Sequence, residues 1–318
     1  MLLAVPAVRA LRAGRPAARL VLAAQERIGA LLALLGAVDD HVRFDALGLH
    51  TLFAGEIGPP QPRRDLLRLA SAGDRPAASH SHLRPPTGQA GLADLATIVC
   101  WFGARDPAFV ARVRALSPGA VVAPSVGRDG PVWEHLLATV DGDPLTADRA
   151  PLSVPASLIA DGHRGLRAAG WDGETPLLMI HPGAGGIAKR WPAEGFARVL
   201  AEFGSSRNLA LVVHQGPADA DAVAALSARH RGPIIRLTDP TLPVLAGAMT
   251  HVAAWLGNDS GVSHLAAAIG VPAVVLFTAS NLAWRPWSDA ARPLVVETGA
   301  LRALDLGQVI ATITALLG

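Results

Sequence analysis

The chain has 318 residues, enough for two domains, and its 51% hydrophobic and 17% charged residues exclude a disordered chain. A formal net charge of +2 carries no nucleic-acid signature, and with Lys189 the sole lysine and no tyrosine, the arginine abundance reads as coding bias. The single cysteine, Cys100, excludes an internal disulfide and fits a reducing compartment; its apolar run, 97–102, points to packing and not to catalysis.

The most apolar stretch, 28–38, falls short of the roughly 20 residues a membrane helix needs, and residues 1–6 lack the basic start of a signal peptide. The expectation is a cytoplasmic protein, with contact at the inner face of the cytoplasmic membrane left open. The pattern opens with a helix over 4–13, Pro6 in its first turn and Gly14 beyond its end. A strand over 18–23, a helix over 26–35 and a strand over 42–44 follow. The chain thus enters a doubly wound sheet on a helix, with no strand ahead of it. Residues 46–95 are broken by Pro59-Pro60 and Pro85-Pro86. His80 and His82 there have metal-ligand spacing but no carboxylate or cysteine nearby, which favours a solvated loop. A strand over 98–102, a helix over 107–116, a strand over 120–123 and a helix over 132–140 complete the first half. Asp141-Gly142-Asp143 has the form of a metal-binding pair, yet it precedes Pro144 in a turn-rich connector, so a surface turn is the preferred reading.

The second half is regular. After a helix over 156–169, strands are predicted over 177–180, 209–213, 233–236, 252–256 and 273–277, with helices over 193–203, 217–229, 242–249 and 261–269 between them. A last helix over 305–317 has Asp305 as its cap. Parallel strands alternating with helices place ligands at the carboxyl ends of the strands, where the polar motifs fall. His181-Pro182-Gly183-Ala184-Gly185-Gly186 follows the first of these strands, its small residues allowing close approach to a ligand, and Lys189 and Arg190 supply charge for a diphosphate. Asp219, after the second strand, is either a ribose acceptor or a first-turn acid of its helix. Leu237-Thr238-Asp239-Pro240 is a candidate lining for a base pocket. Gly257-Asn258-Asp259-Ser260-Gly261 ends a buried strand and opens a helix with free N–H groups, either a phosphate seat or an ordinary cap. Trp284-Arg285-Pro286-Trp287 either covers a ligand or joins the two domains.

Competing motifs fit less well. No Gly-Lys-Ser/Thr phosphate loop is present. Gly183, Gly185 and Ala188 match a dinucleotide fingerprint formally, but the helix starts too late and the next strand ends without an acid, which weakens a NAD-linked oxidoreductase. The serine of 257–261 sits one place late for a hydrolase nucleophile.

Together, residues 181–192, Gly216-Pro217, Gly257-Asn258-Asp259-Ser260-Gly261 and Ser263-His264-Leu265-Ala266-Ala267 resemble glycosyltransferase family 9, the heptosyltransferases of the lipopolysaccharide inner core. The likeness is most specific over 177–287 and looser at residues 2–12. It implies an α/β chain of GT-B fold, two Rossmann-like doubly wound domains facing a cleft: an acceptor-binding domain over 1–150 and a nucleotide-sugar-binding domain over 151–318. It implies an inverting transfer of a sugar, heptose by family habit, from an ADP-sugar to a lipopolysaccharide or other envelope glycan, with no metal, cofactor or nucleic acid. The donor site carried over is His181, Gly183, Gly185, Lys189, Arg190, Asp219, Asp259, Ser260, Gly261 and His264, with Asp219 on the ribose and Asp259 and His264 at the sugar-phosphate end. In the family a strand and a Gly-Asp pair precede the segment matching residues 1–3, and that Asp is the proposed general base. The expectation is therefore a native chain with roughly 10–20 further residues, a strand and its turn, before Met1. If Met1 is the start, the alternative is a nucleotide-sugar-binding pseudo-enzyme without its base.

Overall fold

A computed structural model describes residues 1–47, 52–53, 95–205, 208–296 and 304–318. His80 and His82, with nearly all of the broken stretch 46–95, lie outside these residues. The chain groups into two compact units, one of Met1–Ala18, Leu31–Ala37 and Val126–Gly318, the other of Arg19–Ala30 and Val38–Ser125.

The second unit holds the shorter strands. β1 (Val21–Ala24) pairs in parallel with β2 (Asp40–Arg43), and β3 (Val99–Cys100) with β4 (Val121–Val122). The runs over 98–102 and 120–123 thus yield two paired residues each. The intervening helix, Pro107–Leu116, has the bounds its sequence predicts. Asp106 caps it by accepting from the N–H groups of Ala108 at 2.9 Å and Phe109 at 3.1 Å, and Pro107 occupies its first position. Cys100 is buried, its thiol donates to the Phe102 carbonyl at 3.3 Å, and burial pushes its pKa up to about 11, so it is a packing residue.

The first unit contains helix α1 (Val5–Gly14), α2 (Glu26–Leu34) in part, α4 (Val132–Ala138) and the regular second half; the Pro107 helix is α3. In chain order the second half runs α5 (Ala156–Ala168), β5 (Leu177–His181), α6 (Ala193–Gly204), β6 (Ala210–Gln215), α7 (Ala220–Ser227), β7 (Ile235–Thr238), α8 (Leu242–Met249), β8 (Val252–Asn258), α9 (Gly261–Ala268), β9 (Ala273–Thr278), β10 (Ala291–Val296) and α10 (Leu306–Leu317). The six strands form one parallel sheet in the order β10-β9-β8-β5-β6-β7. Every residue of β5 and β9 is buried, as expected for parallel strands covered on both faces. On one face Leu178, Ile180, Leu256 and Leu276 meet Phe196 and Leu200 of α6, Val223 of α7 and Ile313 of α10. Here β10 is the one strand the sequence pattern misses. Pro293 lies in its middle, and the ladder tolerates it because β10 is an edge strand paired only with β9.

On the far side α5 and α8 cross in backbone contact. A Cβ added at Gly162 would fall 1.9 Å from the Ala248 nitrogen, and one added at Gly247 would fall 1.7 Å from the Leu158 oxygen. Elsewhere in the same unit, α1 is fastened to the connector and to the loop after β9. Arg9 donates to the carbonyls of Ala150 at 2.6 Å and Asp148 at 3.1 Å, and lies 5.5 Å over the Trp287 ring. The Trp287 indole N–H donates to Leu2 at 2.9 Å, and Arg149 donates to the Trp287 carbonyl at 2.6 Å. Trp287, 1% exposed, therefore ties α1 and the connector to the loop after β9 within this unit. Asp143 accepts from the Leu145 N–H at 2.9 Å in an exposed turn, which favours the turn reading of that connector.

Candidate functional site

The strand order reverses beside β5. From β5 the chain moves outward through β6 to β7, then returns to place β8 on the other side of β5 and continues to β9 and β10. The loops leaving the carboxyl ends of β5 and β8 therefore diverge and open a crevice, the preferred ligand position of such sheets. The ends of these strands, His181 and Asn258, are the first and second anchors of the site.

Asn258 is fully buried and uses its whole amide. Its Oδ1 accepts from the Trp191 N–H at 2.9 Å, and its Nδ2 donates to the carbonyls of Pro182 at 2.9 Å and Gly183 at 3.3 Å. One side chain thus clamps both ends of the loop after β5 to the end of β8. Ser263, also fully buried, steadies the next turn: its Oγ donates to the Asn258 carbonyl at 2.7 Å and accepts from the Trp255 indole at 3.2 Å. Ser260 is the N-cap of α9, accepting from the Ser263 N–H at 3.3 Å. The remaining first-turn N–H groups of α9, beginning at Gly261, have no intrahelical acceptors.

Charge gathers at this helix mouth. Lys189, from the 3-10 turn Ile187–Lys189, places its Nζ 2.7 Å from Asp259 Oδ2, and His264 Nε2 lies 3.5 Å from Asp259 Oδ1. Burial works against ionising Asp259, but its contacts with His264 and Lys189 outweigh burial and hold the carboxyl below its ordinary range. His264 Nδ1 is buried with no hydrogen-bond partner among the described residues. Lys189 keeps about a third of its side chain exposed while its ammonium is held on Asp259.

A second cluster forms around the β5 and β6 ends. Asp219 stands at the N-cap position of α7 but does not cap it; Oδ2 turns back to accept from the Gly216 N–H at 3.0 Å. Oδ1 lies so near Gly183 that a Cβ there would fall 2.0 Å from it. Only glycine fits at 183, which gives that residue a packing reason. At Gly185 and Gly261 a Cβ would meet nothing within 4 Å. Arg190 turns aside to Asp221, at 2.6 Å, and its Nε is buried without a partner among the described residues.

The structure thus gathers Lys189, Asp259, Ser260, Gly261 and His264 at one mouth and His181, Gly183 and Asp219 at the other, with Gly185 in the open loop over 183–186. Asn258 and Ser263 stand inside the motifs read from the sequence but are given no role there, and His214 is passed over. For Asn258 and His214 the signal is a polar residue at or next to the end of an otherwise apolar strand, whereas Ser263 lies in the first turn of α9. His214 follows Val213, the register partner of Ile180, so it lies beside His181 across the β5–β6 ladder. Their Nδ1 atoms are 3.0 Å apart. Burial, then the neighbouring His181, hold the His214 pKa down at about 3, and burial likewise lowers His181. The dinucleotide fingerprint fares differently. Ala188 lies in a 3-10 turn, α6 opens only at Ala193, and β6 ends at Gln215. Thr238 closes β7, and Asp239 continues in a left-handed turn (φ 47°) whose N–H donates to Gln215 at 2.8 Å.

Comparison with known proteins bears on the family and the fold. The family model "Glycosyltransferase family 9 (heptosyltransferase)" matches residues 146–310. Lipopolysaccharide heptosyltransferase 3 of Escherichia coli (strain K12) is 33% identical over 118 residues, 35% of this chain and 34% of that protein. The matched segment thus spans about a third of the length of these curated relatives. Among solved structures, the glycosyl transferase family 9 from Veillonella parvula DSM 2008 superposes with a TM-score of 0.70 at 18% identity, covering 99% of this chain and 93% of that one. E. coli ADP-heptose lps heptosyltransferase II gives 0.67 at 19% identity over 100% of this chain and 95% of that one. E. coli heptosyltransferase WaaC with ADP gives 0.63 at 12% identity over 99% and 95%. These neighbours are GT-B glycosyltransferases, and the likeness to them is one of fold. With more than half of its length matched by the family model and its polar residues gathered at the switch point of the sheet, the chain belongs to glycosyltransferase family 9.

Proposed function

We propose that this chain moves a heptose from ADP-heptose to a lipopolysaccharide-type acceptor, with residues 151–318 holding the donor and residues 1–150 the acceptor. The observation that carries the reading is the Lys189–Asp259 pair, 2.7 Å apart at the mouth of α9. As the glycosidic bond to ADP lengthens, positive charge develops on the sugar ring and negative charge on the departing diphosphate. Lys189 and the free N–H groups at Gly261 and Val262 answer the negative charge. On this reading they supply the positive charge that a divalent metal could otherwise bring to the diphosphate, and the transfer needs no metal. Asp259, kept ionised by Lys189 and His264, accepts from sugar hydroxyls, and Asp219 accepts from the ribose. Attack by an acceptor hydroxyl on the face opposite ADP, its proton passing to a base as the bond to ADP breaks, inverts the anomeric centre. The acceptor being a lipid, we place the reaction at the inner face of the cytoplasmic membrane; among the described residues no helix is long and apolar enough to cross it.

Calorimetric titration with ADP, UDP and NAD tests the donor site. ADP should bind, and Lys189→Ala should weaken it about tenfold or more through loss of a charge-assisted contact. NAD binding alone, or indifference to Lys189, would overturn the assignment. Transfer of labelled heptose to a heptose-deficient lipopolysaccharide, with chelator present, then tests the reaction and its independence of metal.

A further inference from the structure

His181 and His214 are each 3% exposed, and both lie beside Trp255: the His181 ring stacks on its indole at 6.1 Å between centroids, and the His214 ring lies tilted to it at 6.5 Å. A bond between two Nδ1 atoms, here 3.0 Å apart, needs one nitrogen protonated and the other bare. The third group decides which. Asp219 Oδ2 lies 4.0 Å from His181 Nε2. A bare Nε2 facing that carboxylate would set two acceptors against each other in a buried site, whereas Nε2–H gives an attractive contact. This contact favours the Nε2–H tautomer of His181, with its Nδ1 as the acceptor and His214 Nδ1–H as the donor.

We propose that His214 is a positioning residue of the nucleotide site: it fixes the His181 tautomer, so that His181 presents Nε2–H to Asp219 and holds that carboxylate over Gly183. The inference rests on the donor site assigned above, because it takes Asp219 as a nucleotide contact. It adds a residue that lies one strand behind the motif and touches no ligand. The separation of 4.0 Å is longer than a hydrogen bond, so His181 acts on Asp219 as an oriented dipole, with the Gly216 N–H at 3.0 Å completing the hold. The charged groups facing His181 are Asp219, which favours its protonated form, and Arg190, which opposes it.

Nitrogen-15 spectra of the histidine rings in the full chain, at neutral pH, read the tautomer directly. His181 should show a protonated Nε2 and a bare Nδ1, and His214→Ala should release it to a tautomer mixture. ADP affinity should fall about two- to tenfold in His214→Ala, the worth of one neutral hydrogen bond. His214→Asn, whose amide nitrogen stands where Nδ1 stood, should restore both readouts. Thermal unfolding of the two variants separates this from loss of folding: a purely packing role predicts that stability changes while the tautomer and the ADP affinity of the folded fraction do not. A His181 protonated at Nδ1 in the unchanged chain would overturn the proposal, as would a folded His214→Asn no better than His214→Ala. If the unchanged chain binds no ADP, the donor assignment fails on its own, and the tautomer still decides the relay.

Discussion

Two regions of the first unit are built on glycine, for opposite reasons. Where α5 crosses α8, Gly162 and Gly247 are filled by the neighbouring backbone, and an added Cβ lands 1.9 Å and 1.7 Å from main-chain atoms, deep inside van der Waals contact. At the carboxyl ends of β5 and β8, Gly185 and Gly261 face empty space on the same criterion. The helix crossing uses glycine to bring two backbones together, while the strand ends use it to keep room for something outside the chain. Between these extremes stand Gly183 and Asn258, where the open loop is tied down. A single glycine-rich composition thus serves a closed joint and an open rim, and the neighbours at each position tell them apart.

The comparison can be broken most severely at the tie. Asn258→Ala strips hydrogen bonds from the Trp191 N–H and the Pro182 and Gly183 carbonyls at once. It should cost about 3–5 kcal/mol in denaturant unfolding, with ADP binding lost alongside. Gly162→Ala forces α5 off α8 and should cost about 3 kcal/mol by the same measurement, while ADP binding by the folded fraction is retained. A smaller effect is spread over pH. The folded chain keeps His214 unprotonated down to about 3, whereas the unfolded chain takes its proton near the ordinary 6.5. The stability His214 contributes is complete above about 6.5 and drains away as pH falls from there toward 3. Melting temperatures between pH 7 and 4 should fall more steeply for the unchanged chain than for His214→Asn. The least effect is expected at Gly185→Ala, within about 0.5 kcal/mol in stability, because its methyl enters open space. If that variant melts like the parent yet binds ADP more weakly, the rim reading of the loop is sharpened.

Much of this was legible in the residues. The bounds of Pro107–Leu116 and Leu242–Met249 follow from a capping side chain and a first-turn proline, local signals that tertiary contacts did not override. Five of the six strands of the main sheet, β5 to β9, were legible as apolar runs, and Lys189, Asp259 and His264 as polar punctuation after them. What escaped was non-local. Pro293 hides β10 because only its edge position makes a proline tolerable. His181, Gln215 and Asn258 read as loop residues, but each closes a strand, because pairing with a neighbour extends the ladder past the apolar run. Asp219 stands at a helix start, yet its carboxylate accepts from the Gly216 N–H in place of capping that helix. The contact between His181 and His214 exists only once β5 and β6 lie side by side, so no spacing along the chain announces it.

The fastening of α1 bears on recombination. Arg9 spans to the carbonyls of Asp148 and Ala150, and Trp287 reaches Leu2. A chimera cut at the connector, made to exchange donor preference between relatives, would keep this helix from one parent and its socket from the other. Such a crossover would mismatch an indole and a guanidinium that were shaped together. Carrying residues 1–18 along with the transplanted half, as a three-piece exchange, leaves that socket whole.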